Sequence, residues 1–176
     1  MAMWDRINQL KGATGRPGGG RSGSGGSGGG TRSMVMGALK SQLTSMRHEL
    51  KSGAYRDASM AVCALVAAAD GTVDSAERQH VEQMIVTNEV LQNFPADELR
   101  RRFNRHVDQL VRGLPAGRSE AMAELAKVAK KPAEARAVIQ TGMVVAGADG
   151  YFSHAEAAVL REACAALALH PSEFGL

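Results

Sequence analysis

Residues 61–77 read Ala-Val-Cys-Ala-Leu-Val-Ala-Ala-Ala-Asp-Gly-Thr-Val-Asp-Ser-Ala-Glu, and residues 140–156 read Gln-Thr-Gly-Met-Val-Val-Ala-Gly-Ala-Asp-Gly-Tyr-Phe-Ser-His-Ala-Glu. The second stretch repeats the first at a displacement of 79 positions, pairing Asp70 with Asp149, Gly71 with Gly150, Val73 with Phe152, Ala76 with Ala155 and Glu77 with Glu156. Each copy is an apolar helical run, an Asp-Gly turn, and a helix opened by a capping sequence. Two such helix pairs can pack about a pseudo-two-fold axis, each burying what its partner exposes. The repeat therefore predicts an all-α bundle built on two units of helix, acidic loop and helix.

The rest of the chain agrees with this reading. Apolar residues make up 44% of the sequence but aromatic residues only 4%, so the core is drawn from Ala, Val, Leu and Met, most of them good helix formers. Met36, Leu39, Leu43, Met46 and Leu50 form one helical stripe over 34–51. Further helices are predicted over 54–69, 75–88, 89–94, 96–112, 119–130, 133–148 and 154–169. Pro95, Pro115, Pro132 and Pro171 punctuate their boundaries. The near-continuous apolar run of 60–69 predicts a helix buried on most faces.

Upstream, residues 18–30 read Gly-Gly-Gly-Arg-Ser-Gly-Ser-Gly-Gly-Ser-Gly-Gly-Gly, which lacks core-forming side chains and predicts a flexible spacer. The organisation expected is a short amphipathic segment over 1–12 (Met3, Trp4, Ile7 and Leu10 at helical spacing), a Gly/Ser-rich linker over 13–33, and a helical domain over 34–176. The tip has two readings, contact with a membrane surface or partner groove and docking on its own domain.

Charge is unevenly spread. Residues 1–51 carry eight Lys or Arg against Asp5 and Glu49, whereas 52–176 carry thirteen against sixteen acids, so the basic balance belongs to the tail. A mildly acidic folded part argues against nucleic acid as its main partner, which would need cationic surface to neutralise phosphates. The run Arg100, Arg101, Arg102, continued by Arg105 and Arg112, is interleaved with Asp97, Glu98 and Asp108 and reads as a solvated face with internal ion pairs. Cys63 and Cys164 fall inside apolar helical runs, consistent with buried thiols in a reducing compartment. No stretch approaches the roughly 18 apolar residues of a membrane span, and the start lacks the apolar core of a cleavable leader, so a cytoplasmic protein is expected.

The acidic loops carry the chemistry. In the register of an EF-hand, each aspartate takes position five, glycine the turn at six, and glutamate the bidentate twelfth position. The opening ligands are missing, since positions one and three fall on Val66 and Ala68, or Val145 and Gly147. A hard cation needs about six oxygens or more, so neither loop suffices alone. If the pseudo-two-fold brings the loops together, Asp70, Asp74, Glu77, Asp149 and Glu156 supply a shared site or two open ones, with water completing the shell. The competing reading is purely structural. Asp74-Ser-Ala-Glu77 and Ser153-His-Ala-Glu156 are capping boxes, and the Asp-Gly pairs are helix-ending turns. His154, paired with Ser75 in the repeat, reads as a solvated loop residue, and no nucleophile or paired acid-base motif points to an enzyme.

The chain resembles the TerB family of tellurite-resistance proteins, whose domain is shared with DjlA-type co-chaperones. The resemblance runs over about 53–175. It is carried by the first Ala-Asp-Gly with its Glu, the second with its Glu, and Leu-Arg-Glu-Ala-Cys-Ala-Ala-Leu-Ala-Leu-His-Pro-Ser-Glu-Phe over 160–174; the opening Met-Trp-Asp-Arg-Ile also resembles the family's start. It implies about seven helices with internal two-fold symmetry and acidic loop residues that bind a divalent cation, calcium first, mapping onto Asp70, Glu77, Asp149 and Glu156, with Asp74 beside them. It also implies a stress-response role in tellurite and phage resistance, as an adaptor to a TerC-like integral membrane protein at the cytoplasmic face. The Gly-rich spacer departs from the family's compact pattern.

Overall fold

The computed structural model describes residues 29–147 and 152–176, with side chains described from Met34 onward. The amphipathic tip over 1–12, the spacer up to residue 28, and Asp149 with its neighbours lie outside the described residues. Seven α-helices are described: α1 (Gly29–Ser45), α2 (Gly53–Ala67), α3 (Ser75–Thr87), α4 (Ala96–Arg112), α5 (Leu114–Ala126), α6 (Pro132–Ala146) and α7 (His154–Ala166). Single 3-10 turns occupy Leu91–Asn93 and Pro171–Phe174. No strand occurs among the described residues, so the all-α reading holds. None of the described helices is long and apolar enough to cross a membrane.

The repeat is kept to the residue. The same displacement of 79 carries α2 onto α6 at both ends and α3 onto α7 at both ends. The hub of the bundle is α2, where every residue from 58 to 66 is buried. Ser52 starts it by accepting the Tyr55 amide at 3.1 Å, satisfying one of the orphan donors of the first turn. The small side chains of Ala58, Ser59, Ala61, Cys63 and Ala64 let α4, α5, α6 and α7 all approach it. Its most extensive neighbour is α6, its own counterpart in the repeat.

Three cross-helix contacts fix how this central pair runs. Near the N-terminal ends, Ser52 Oγ donates to Glu134 Oε2 at 3.0 Å. Further along, Tyr55 Oη lies 2.8 Å from Thr141 Oγ1, and the Val62 methyls stand 3.0 Å from where a Cβ on Gly142 would project. The partners advance together along both chains, so α2 and α6 run in the same direction. Their C-terminal ends, at Ala68 and Gly147, therefore emerge on one side of the bundle. Beyond them the chain crosses between repeats, α3 packing on α6 as well as α2, and α7 on α2 as well as α6.

Elsewhere the elements shift from expectation for local reasons. The stretch 89–94 forms only the Leu91–Asn93 turn, because Asn88 Oδ1 takes the Val90 and Leu91 amides at 3.0 and 3.3 Å and starts a new cap. Helix α5 begins at Leu114, five residues ahead of the expected start at 119, since Pro115 supplies the φ of a first helical turn. Helix α1 begins at Gly29, ahead of its apolar stripe, and gives way after Ser45 to turns whose carbonyls at Arg47 and Leu50 accept from Asn93 Nδ2.

Candidate cation-binding loops

The first loop is held together by its own acids. As α2 ends, the Gly71 amide donates to Ala68 O at 2.9 Å and Gly71 adopts φ of 92°, a left-handed conformation that costs glycine little. Asp70 Oδ1 accepts from the Thr72 amide at 3.1 Å and from Thr72 Oγ1 at 3.4 Å, closing an Asx-type turn. That role accounts for an aspartate at a helix C-terminal end, where the dipole alone disfavours a carboxylate. Asp74 Oδ1 then accepts the Ala76 and Glu77 amides, both at 2.8 Å, while the Asp74 amide donates back to Glu77 Oε2 at 3.1 Å.

The second loop repeats the device with serine in place of aspartate. Ser153 Oγ accepts the Glu156 amide at 3.1 Å, and the Ser153 amide donates to Glu156 Oε2 at 2.6 Å. Both boxes are complete, as the sequence pattern predicts. Both glutamates are turned inward, Glu77 at 6% and Glu156 at 5% exposure. A buried carboxylate needs partners, and here backbone amides at the positive end of a helix supply them. Val73 and Phe152, matched by the repeat, pack against the core behind each loop.

The five residues singled out from the sequence thus fall into two groups. Asp70 and Asp74 are exposed, and in each the hydrogen bonds described go to Oδ1. Glu77 and Glu156 are buried in capping boxes. Asp149 lies outside the described residues. Among the described residues, no three His, Cys, Asp or Glu side chains are grouped so as to hold a metal ion. The parallel course of α2 and α6 brings the starts of the two loops to one side of the bundle; a shared site depends on Asp149. The donors on offer are carboxylate oxygens, suited to a hard cation. His154 is exposed and no other nitrogen or sulfur donor groups with them.

Two features escaped the sequence pattern. Thr72 completes the first turn, a role an Asp-Gly-Thr sequence signals through the short reach of Asx turns. The arginine run also divides. Arg100 pairs with Asp97 and Glu82, and Arg102 with Asp57 and Glu98, but Arg101, Arg105 and Arg112 have no carboxylate within ion-pair distance among the described residues. Their spacing of four and seven positions was the available signal for a common face. Gln109, four positions beyond Arg105, donates to Glu120.

Compared with known proteins, residues 56–176 match the family model described as tellurite resistance protein TerB. No curated protein matches the chain, and no solved structure does.

Proposed function

We propose, since the chain belongs to the TerB family of tellurite-resistance proteins, that it serves a tellurite-stress system as a non-enzymatic adaptor whose twin loops bind a divalent cation. Calcium is the first choice, because the available donors are hard oxygens. In this reading Asp70 and Asp74, with Asp149 from the second loop, supply carboxylate oxygens, backbone carbonyls and water complete the shell, and Glu77 and Glu156 hold the loops in shape. The observation that carries it is the parallel packing of α2 and α6, which sends both repeats into their acidic loops on the same side. With few charged ligands in each loop, affinity is expected in the weak range, a Kd of about 10⁻⁴ to 10⁻³ M. The loaded loops then face a TerC-like integral membrane partner at the cytoplasmic side.

A second reading is favoured by the two complete capping boxes: the loops only end and start helices, and present negative charge to a protein partner. Calorimetric titration of the full chain with calcium, magnesium and zinc separates the two. The first reading expects heat with calcium that disappears in the double variant Asp70→Asn, Asp149→Asn while helicity stays unchanged. Absence of heat up to millimolar concentrations of all three ions leaves the capping reading standing alone.

A further inference from the structure

We propose that the outer face of α4 is a docking surface for anionic phospholipid headgroups, independent of the acidic loops. The core-facing stripe of this helix is Leu99, Phe103, His106, Val107 and Leu110, all buried. At about 100° per residue, Arg101, Arg105 and Arg112 fall together on the side directly opposite, and all three are exposed. They line a surface groove of about 520 Å³ that runs along this helix.

What distinguishes these three arginines is the disposition of the neighbouring acids. Asp97 is paired with Arg100, Glu98 with Arg56 and Arg102, and Glu82 accepts from Asn104 and lies near Arg100. Asp97 and Asp108 share the stripe, but Asp97 is paired with Arg100 at 3.4 Å and Asp108 is drawn aside at 2.7 Å by Arg78 from α3. Glu120 is bonded to Gln109 and Glu124 to Lys127. Arg112 sits in the last helical turn, where the dipole favours a cation, but Arg101 and Arg105 are interior and repel one another at a spacing of four. The fold thus leaves a row of like charge uncompensated on an otherwise acidic domain.

Guanidinium groups bind phosphate oxygens in a bidentate manner and keep their charge at any physiological pH. The groove is lined by this one helix alone, with no opposing wall to clasp an acidic peptide, whereas headgroups in a fluid leaflet can adjust to the spacing of the row. Near its C-terminal end stand two exposed aliphatic side chains, Val111 at 65% in the last turn of α4 and Leu114 at 38% at the start of α5, available to enter the interface as the arginines meet phosphate.

The test is co-sedimentation of the full chain with vesicles of phosphatidylcholine alone and of phosphatidylcholine mixed with phosphatidylserine, across a salt series. Binding is expected to the mixed vesicles only and to weaken as salt rises. Each arginine neutralised is expected to weaken it roughly fivefold, so that three neutralisations cost on the order of a hundredfold and the reversal Arg101→Glu, Arg105→Glu and Arg112→Glu costs at least that much. The comparator is Arg16→Glu, Arg21→Glu and Arg32→Glu, an equal charge change in the basic tail, which is expected to keep most of the binding. Glutamine at the same three α4 positions gives the same answer should the glutamate variant melt early. The proposal is overturned if the α4 triple binds like the parent, if the tail triple alone abolishes binding, or if the parent ignores mixed vesicles yet binds polyglutamate or DNA through these arginines.

Discussion

Tyr55 donates its hydroxyl proton to Thr141 across the interface of the two central helices. The oxygens lie 2.8 Å apart, and the direction follows because Thr141 Oγ1 spends its own proton on Ala137 O, also at 2.8 Å. Both residues are fully buried. Burial pushes the Tyr55 phenol up to about 12, so the proton stays in place at any working pH. The bond ties the parallel pair together across the α2–α6 interface. Tyr55→Phe is expected to lower stability by about 1 kcal/mol, the usual net worth of a buried hydrogen bond. Urea unfolding followed by circular dichroism reads it; an unchanged midpoint would mean the bond contributes nothing.

The capping boxes are expected to matter for stability whether or not an ion binds. Asp74→Ala and Ser153→Ala should each cost about 1 kcal/mol in chelator, the typical loss for an N-cap. Because the two sites sit at equivalent positions of separate loops, their effects should add. A thermal melt of both single variants and the double checks this, and a double variant no less stable than either single one would contradict it.

Between α4 and α5 the backbones approach closely. A Cβ at Gly117 would lie 2.6 Å from Gln109 C and Leu110 N, main-chain atoms that cannot turn aside. Gly117→Ala should therefore destabilise by about 2 kcal/mol or more, despite the better helix propensity of alanine. An increase in thermal midpoint would show that the two helices separate at little cost.

His106 gives stability a pH dependence. It is buried, its Nδ1 has no hydrogen-bond partner among the described residues, and burial holds its pKa below the ordinary 6.5. The fold favours the neutral ring while the unfolded chain takes up a proton near 6.5. The unfolded state then binds more protons, so stability is full above that value and falls as pH drops below it. Denaturant midpoints measured from about pH 7.5 down to about pH 5.5 should decline, and His106→Gln should flatten the decline. Equal slopes in the two proteins would assign the effect to other groups.

Much of this was legible in the sequence because its signals are local. The helical pattern punctuated by Pro95 and Pro115 placed α4 at its observed bounds, and the displacement of 79 carried α2 and α3 onto α6 and α7. Asp74 with Glu77 and Ser153 with Glu156 were readable as caps since each box closes within four residues. The direction of α2 against α6 was not readable. It depends on pairs such as Ser52 with Glu134, separated by 82 positions, which no periodicity encodes. The start of α5 was placed late because Pro115 suits both a boundary and a first turn. The inward turn of Glu77 and Glu156 was equally hidden, since a ligand and a cap share one pattern.

Joint action of the twin loops on a cation is read by a calcium titration of the full chain followed by amide nuclear magnetic resonance. The amides of Gly71 and Gly150 report the two Asp-Gly pairs of the repeat. The expected result is that both shift, with one common midpoint in the weak range, while amides of the buried α2 core stay in place. Shifts at neither glycine up to millimolar calcium would rule out cation binding by the pair, leaving the loops as helix caps alone.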